Sequence, residues 1–173
     1  MPQYQANNNF GTVSSISVEA LGQPGQRTFR LILQAGEASA CLWLEKEQVQ
    51  QLAIYIQEIS EDLTGNRPAE DREASEAPWS GGNVSFEFKV ESLSLGHDSA
   101  SNAFLFLAHD RESPDDAPAD LSFWVTLEMA RDLSKEALEI CAAGRPRCFL
   151  CGQPINPEGH ACVRSNGHQS FQP

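Results

Sequence analysis

"CLWLEKEQVQQLAIYIQEI", residues 41–59, lies without a gap on "SFWVTLEMARDLSKEALEI", residues 122–140. Trp43 falls on Trp124, Leu44 on Val125, Glu47 on Glu128, Leu52 on Leu133 and Ile59 on Ile140. Each copy passes from a short β-favouring run into a helical pattern. In the first, Val49, Leu52, Ile56, Ile59 and Leu63 recur at three and four residues and form one apolar stripe. Met129, Leu133, Ala137 and Ile140 do the same in the second. Upstream, "VEALG" (18–22) resembles "VESLSLG" (90–96), and "FRLIL" (29–33) resembles "FLFL" (104–107). Period-two alternation predicts strands over 12–21, 27–36 and 38–44, then over 83–95, 102–109 and 119–125. The expected fold is α+β, with internally duplicated strand-strand-strand-helix units forming a pseudo-symmetric domain. Antiparallel strands would be backed by the two helices.

The boundaries follow from composition. The first unit spans 1–63 and the second 84–143, the two packed as one domain, and residues 144–173 form a C-terminal tail. Between the units, "TGNRPAEDREASEAPWSGGN" (64–83) is acidic and rich in Gly, Pro and Ser, which reads as a linker loop. "DRESPDDAPAD" (110–120) is a second acidic loop, at the hairpin tip of the second unit. In "GQPGQ" (22–26), Pro24 presets φ and Gly25 accepts a positive φ, as a type II turn requires.

With 173 residues, 40% of them apolar, the chain can bury a core without staples. Its net charge of −12 is uneven. Residues 145–173 carry Arg145, Arg147 and Arg164 against Glu158, a net +2, which leaves −14 on the body. Such a body repels nucleic-acid phosphates over most of its surface, so nucleic acid is not the expected partner. The start, "MPQYQANNNF", has neither a basic nor an apolar signal region, and no apolar run approaches a membrane span. A cytoplasmic chain with reduced thiols is expected, and an odd count of five cysteines fits metal ligation better than a disulfide framework.

"CFLCGQPINPEGHAC" (148–162) holds three of the five cysteines and one of the four histidines. In Cys148-x2-Cys151 the two-residue gap lets both sulfurs wrap one tetrahedral ion, and Gly152 follows where the turn wants an unhindered residue. His160 and Cys162 complete the set C-x2-C-x8-H-x-C; an alternative exchanges His160 for His168, as C-x2-C-x10-C-x5-H. Both meet the spacing of zinc sites, and the tight loop of Pro157, Glu158 and Gly159 favours His160. Three thiolates and an imidazole suit zinc and leave no open position, so the expected ion is structural. Catalytic readings fail on residues. No histidine is followed by x-Glu as a zinc deaminase requires, H-E-x-x-H is absent, and the C-x-x-C follows a helix instead of opening one. Cys41 and Cys141 read as buried thiols, Trp43 and Trp124 as sheet packing, and His97 and His109 as surface residues at strand ends.

The turn "GQPGQRTF", the helix start "LEKEQV" and the ending "AAGRPRCFLCGQPINPEGHACVRSNGH" together carry a family resemblance. Over nearly its whole length the chain resembles the bacterial domain-of-unknown-function family numbered 3090. That resemblance implies a bacterial, cytoplasmic protein without established activity. The family's last motif reads Asn-Gly-Tyr where this chain has Asn166-Gly167-His168, which places His168 behind His160 as a ligand. The leading expectation is a zinc-binding, non-enzymatic binding or adaptor protein with an unidentified protein partner. The alternative is an enzyme with an anion-binding active site in a cleft between the repeats, gripped by Arg27.

Overall fold

Strand-forming residues alternate with polar ones through most of the first half, and the chain answers with a sheet before any helix. A computed structural model describes residues 6–23, 26–64, 79–143, 148–153, 155 and 159–164. Its elements are β1 (Ala6–Thr12), β2 (Ser15–Leu21), β3 (Thr28–Ala35), β4 (Ala38–Leu44) and α1 (Lys46–Thr64), then β5 (Val84–Asp98), β6 (Ala103–Asp110), β7 (Ala119–Thr126) and α2 (Leu127–Ala143). Both β2–β3–β4 and β5–β6–β7 are antiparallel meanders, and a helix follows each. The fold is α+β, as the sequence predicts. The linker 64–83 lies outside the described residues except at Thr64 and from Trp79 onward, and so do Pro24 and Gly25. On either side of them the Gln26 amide donates to the Gln23 carbonyl at 2.9 Å.

The seven strands are ordered β1-β7-β6-β5-β4-β3-β2. β1 and β2 stand at opposite ends of that order, yet only Val13 and Ser14 separate them. Opened flat, seven strands at about 4.8 Å spacing would be about 29 Å wide. Three peptide steps reach only about 10 Å. The sheet must therefore curl until its ends meet, and its hydrogen bonds record the closure. The Val13 amide donates to the Trp124 carbonyl in β7 at 2.9 Å, and the next amide, Ser14, donates to the Gln34 carbonyl in β3 at 2.8 Å. β1 and β2 form one bent path whose first half pairs with β7 and whose second half pairs with β3. β5 turns the opposite corner, with Val84–Lys89 on β4, Val90–Asp98 on β6, and a register shift between Val90 and Ser92.

Two expectations change here. The strand expected over 12–21 begins six residues earlier and is broken at Val13–Ser14, because "ANNNFGT" becomes a strand only through its pairing with β7. The strands are also not all antiparallel. β1 with β7 and β4 with β5 are parallel, since each corner path runs in the same direction as the meander strand it joins.

Inward residues of the strands meet the helices in one core. Phe29, Leu31 and Leu33 of β3, Leu42 of β4, Phe104 and Phe106 of β6 and Leu121 and Phe123 of β7 are all buried there. The rings of the cross-strand pair Phe106 and Phe123 stack at 4.9 Å. Val49, Leu52, Ala53 and Ile56 bury the α1 stripe; the side chain of Leu63 lies outside the described residues. In α2 the fully covered positions are Ala130, Leu133, Ser134, Ala137 and Cys141, with Met129 and Ile140 at the margin. The helices lie against each other, and the buried Ser134 hydroxyl donates to the Ala53 carbonyl at 2.7 Å. Both starts are capped. Gln48 Oε1 accepts from the Glu45 amide at 2.8 Å, and Thr126 Oγ1 accepts from the Met129 amide at 3.3 Å. Among the described residues no helix is long and apolar enough to cross a membrane.

Candidate metal centre

The Cys148–Cys151 hook folds on its own backbone. The Gly152 amide donates to the Cys148 carbonyl at 2.8 Å, and the Cys148 amide donates to the Gln153 carbonyl at 2.8 Å. Gly152 turns the chain at φ 74°, in the left-handed region that a side chain resists. Amides then converge on the sulfurs. Those of Cys151 and Leu150 hydrogen-bond the Cys148 sulfur and pull its pKa down to about 6. Cys151, although the Gln153 amide bonds it, is held above the ordinary thiol value by burial and by its sulfur neighbours.

The structure brings Cys148, Cys151, His160 and Cys162 together. One donor atom from each lies within 4.8 Å of all the others. Cys148 Sγ and Cys162 Sγ are 3.7 Å apart, and Cys151 Sγ lies 3.0 Å from His160 Nε2. A tetrahedron with metal–sulfur bonds of about 2.3 Å has sulfur–sulfur edges of about 3.8 Å, so the observed sulfur pair fits a shared ion. None of these cysteines is in a disulfide. Cys148 is buried and the other three donors are half-buried. His168, the alternative ligand, lies outside the described residues, as do Pro157, Glu158, Arg145 and Arg147.

The remaining candidates are scattered. Arg27 Nη1 donates to the Ile140 carbonyl at 3.3 Å, in the last turns of α2, where a cation complements the helix dipole. Its Nε is buried with no polar partner among the described residues. Trp43 packs on the outer sheet face, with Arg30 over its ring at 5.5 Å and its Nε1 donating to Glu87 at 3.0 Å. Trp124 is half-buried. Trp79 is folded onto the core, its ring 5.7 Å from that of Phe10. A Cβ on Gly36 would meet the Trp79 carbonyl at 2.7 Å, so the β3–β4 turn needs glycine there, at φ 57°. Cys141 is buried, as expected; Cys41 is only half-buried. Burial raises the pKa of both thiols.

His97 and His109 depart from the surface placement expected for them. Each is half-buried, with one ring nitrogen enclosed and lacking a partner among the described residues. Strand ends read as exposed in the sequence, but the curled sheet covers them. Sequence reasoning also missed the apolar display around the centre: Phe149, Leu150 and Val163 are all exposed.

No curated protein matches the chain closely enough to lend it a role. The family described as Protein of unknown function (DUF3090) matches residues 8–162, from β1 to the last cysteine of the centre, and the chain belongs to that family.

Proposed function

We propose that the chain is a zinc-binding, non-enzymatic adaptor of the bacterial cytoplasm, whose ion is structural and fixes a C-terminal surface for a protein partner. The observation that carries this reading is the convergence of three sulfurs and one imidazole within 4.8 Å. Cys148, Cys151, His160 and Cys162 would hold the ion, and four such donors complete a tetrahedral shell that leaves no position for water. Thiolate donation also makes the ion a weak Lewis acid, so the centre has no evident means of activating a nucleophile. The duplication read in the sequence supports a body that serves as scaffold. Each half supplies a corner path, a meander and a helix in the same order. An anion-binding active site around Arg27 draws less support, because its guanidinium already serves the end of α2.

Elemental analysis of untagged protein should give one zinc per chain, lost in Cys148→Ser and Cys151→Ser. His160→Ala should weaken zinc binding by about tenfold or more, and His168→Ala should change it little. Equal zinc content in the cysteine variants would refute the centre; the opposite histidine pattern would install His168 as the ligand. Cobalt-substituted protein should keep its tetrahedral visible spectrum when titrated with azide. A spectral shift at modest azide would reveal an open position and restore the catalytic reading.

A further inference from the structure

The four donors of the metal centre pair off unequally. Cys151 Sγ stands 3.0 Å from His160 Nε2, whereas Cys148 Sγ has the Cys162 sulfur 3.7 Å away. A sulfur–sulfur bond is about 2.05 Å long, so the remaining gap is one that side-chain rotation can close. The two loops are held by bonds that need no ion. The Cys148 amide donates to the Gln153 carbonyl at 2.8 Å, and Arg164 Nη1 reaches across to the Leu150 carbonyl at 3.4 Å. Access to the two sulfurs differs as well. Cys148 is 7% exposed, Cys162 is half-buried, and the next residue, Val163, is 90% exposed. A small oxidant therefore meets Cys162 first, with Cys148 behind it.

We propose that the centre is a peroxide-sensitive zinc switch, in which Cys148 and Cys162 join as a disulfide and the ion leaves. The inference rests on the zinc reading above and adds its regulation. The Cys162 thiolate attacks one oxygen of hydrogen peroxide. An S–O bond forms, the O–O bond breaks, and the departing hydroxide takes a proton to become water. The Cys148 thiolate then attacks the Cys162 sulfur. The S–S bond forms, the S–O bond breaks, and the second hydroxide leaves as water with another proton. The two sulfurs have given up two electrons, and the peroxide has taken them. Cys151 and His160 remain, too few for the four donors that a structural zinc requires. The tip that carries Phe149, Leu150 and Val163 loses its anchor, so the surface offered to a partner is withdrawn under oxidation. A dithiol reverses the step by returning both thiolates to the ion.

The test treats the zinc-loaded full chain with an equimolar amount of hydrogen peroxide. A colorimetric zinc chelator should report about one zinc released per chain. Peptide mapping without reductant should find Cys148 joined to Cys162, and dithiothreitol should restore the zinc content. Two ligand exchanges separate the roles of the sulfurs. Cys162→His keeps four donors but removes the sulfur that meets the oxidant, so zinc release should slow by about tenfold or more. Cys151→His keeps the reactive pair and should release zinc at nearly the unsubstituted rate. Zinc retained by the unsubstituted chain, a disulfide between any other two cysteines, or release unaffected by Cys162→His would overturn the inference. Zinc content measured before peroxide isolates failure of the metal reading, since a chain without zinc still forms or refuses the Cys148–Cys162 pair.

Discussion

At His97 the surroundings oppose a proton. Its ring lies 5.1 Å from that of Phe104, and its Nε2 is enclosed without a partner among the described residues. Burial holds its pKa below the ordinary histidine value, against a smaller opposing pull from Asp98. The unfolded chain therefore binds more protons at this position than the folded one just below the unfolded value, about 6.5. Stability from neutral His97 is complete above that value and is lost as pH falls through it. Urea midpoints on chelator-treated protein, where metal ligation contributes no protons, should fall between pH 7 and 5. His97→Phe should flatten that fall, and an unchanged slope would remove the residue from the account. Nothing in "SLGHDS" marks such a site. Period two places His97 at a strand end, and only the neighbour Phe104, supplied by the pairing of β5 with β6, encloses it. The Cys/His group that could hold a metal was legible for the opposite reason, since its four members lie within fifteen residues and the spacing itself brings them together.

β1 shows how far pattern reading extends at the level of elements. β2 to β7 alternate strongly enough to be located from the sequence to within about three residues, and both helices announce themselves by their stripes. β1 does not, because "ANNNFGT" offers poor strand formers and one large apolar residue. Its place is decided by non-local terms. Asn8 Nδ2 donates to the Asp120 carbonyl at 3.0 Å, Val13 bonds Trp124, and Phe10 is fully buried against Trp79 and Phe86, each at 5.7 Å. The acidic 110–120 loop is a further case. It reads as solvated, yet Asp120 organises it, accepting from the Asp110 amide at 2.7 Å and the Ser113 hydroxyl at 2.8 Å. If β1 closes the sheet, truncating its one anchor should be costly. Phe10→Ala should lower stability by about 3–5 kcal/mol in denaturant titration, the range for a buried aromatic. Hydrogen exchange should rise first in β1 and β7. A cost below about 1 kcal/mol would mean that the closure contributes little.

Across the whole molecule, the main buried cluster and the candidate metal centre draw on different residues among those described. The buried cluster runs from Phe10 to Cys141 and includes no residue of the metal centre. The side-chain hydrogen bonds described for 148–164 stay within that segment. The sheet, meanwhile, closes on itself through β1 and β2, and among the described residues its ladder bonds run from strand to strand. Binding energy at the centre should therefore order the tail alone. Were tail and body coupled, withdrawing zinc would lower the body's thermal midpoint by about 2–4 °C for each kcal/mol lost. The expected result is a body transition that chelation leaves in place. Near-UV dichroism from Trp43, Trp79 and Trp124 should be retained, and hydrogen exchange should accelerate only beyond Ala143. Arg27 makes a bond of the body that could carry strain inward, because it holds the Ile140 carbonyl close to where the tail begins. Arg27→Gln should thus leave zinc content unchanged while loosening the last turn of α2. Loss of near-UV signal on chelation would instead show that the body draws its stability from the metal, and would merge the two parts into one folding unit.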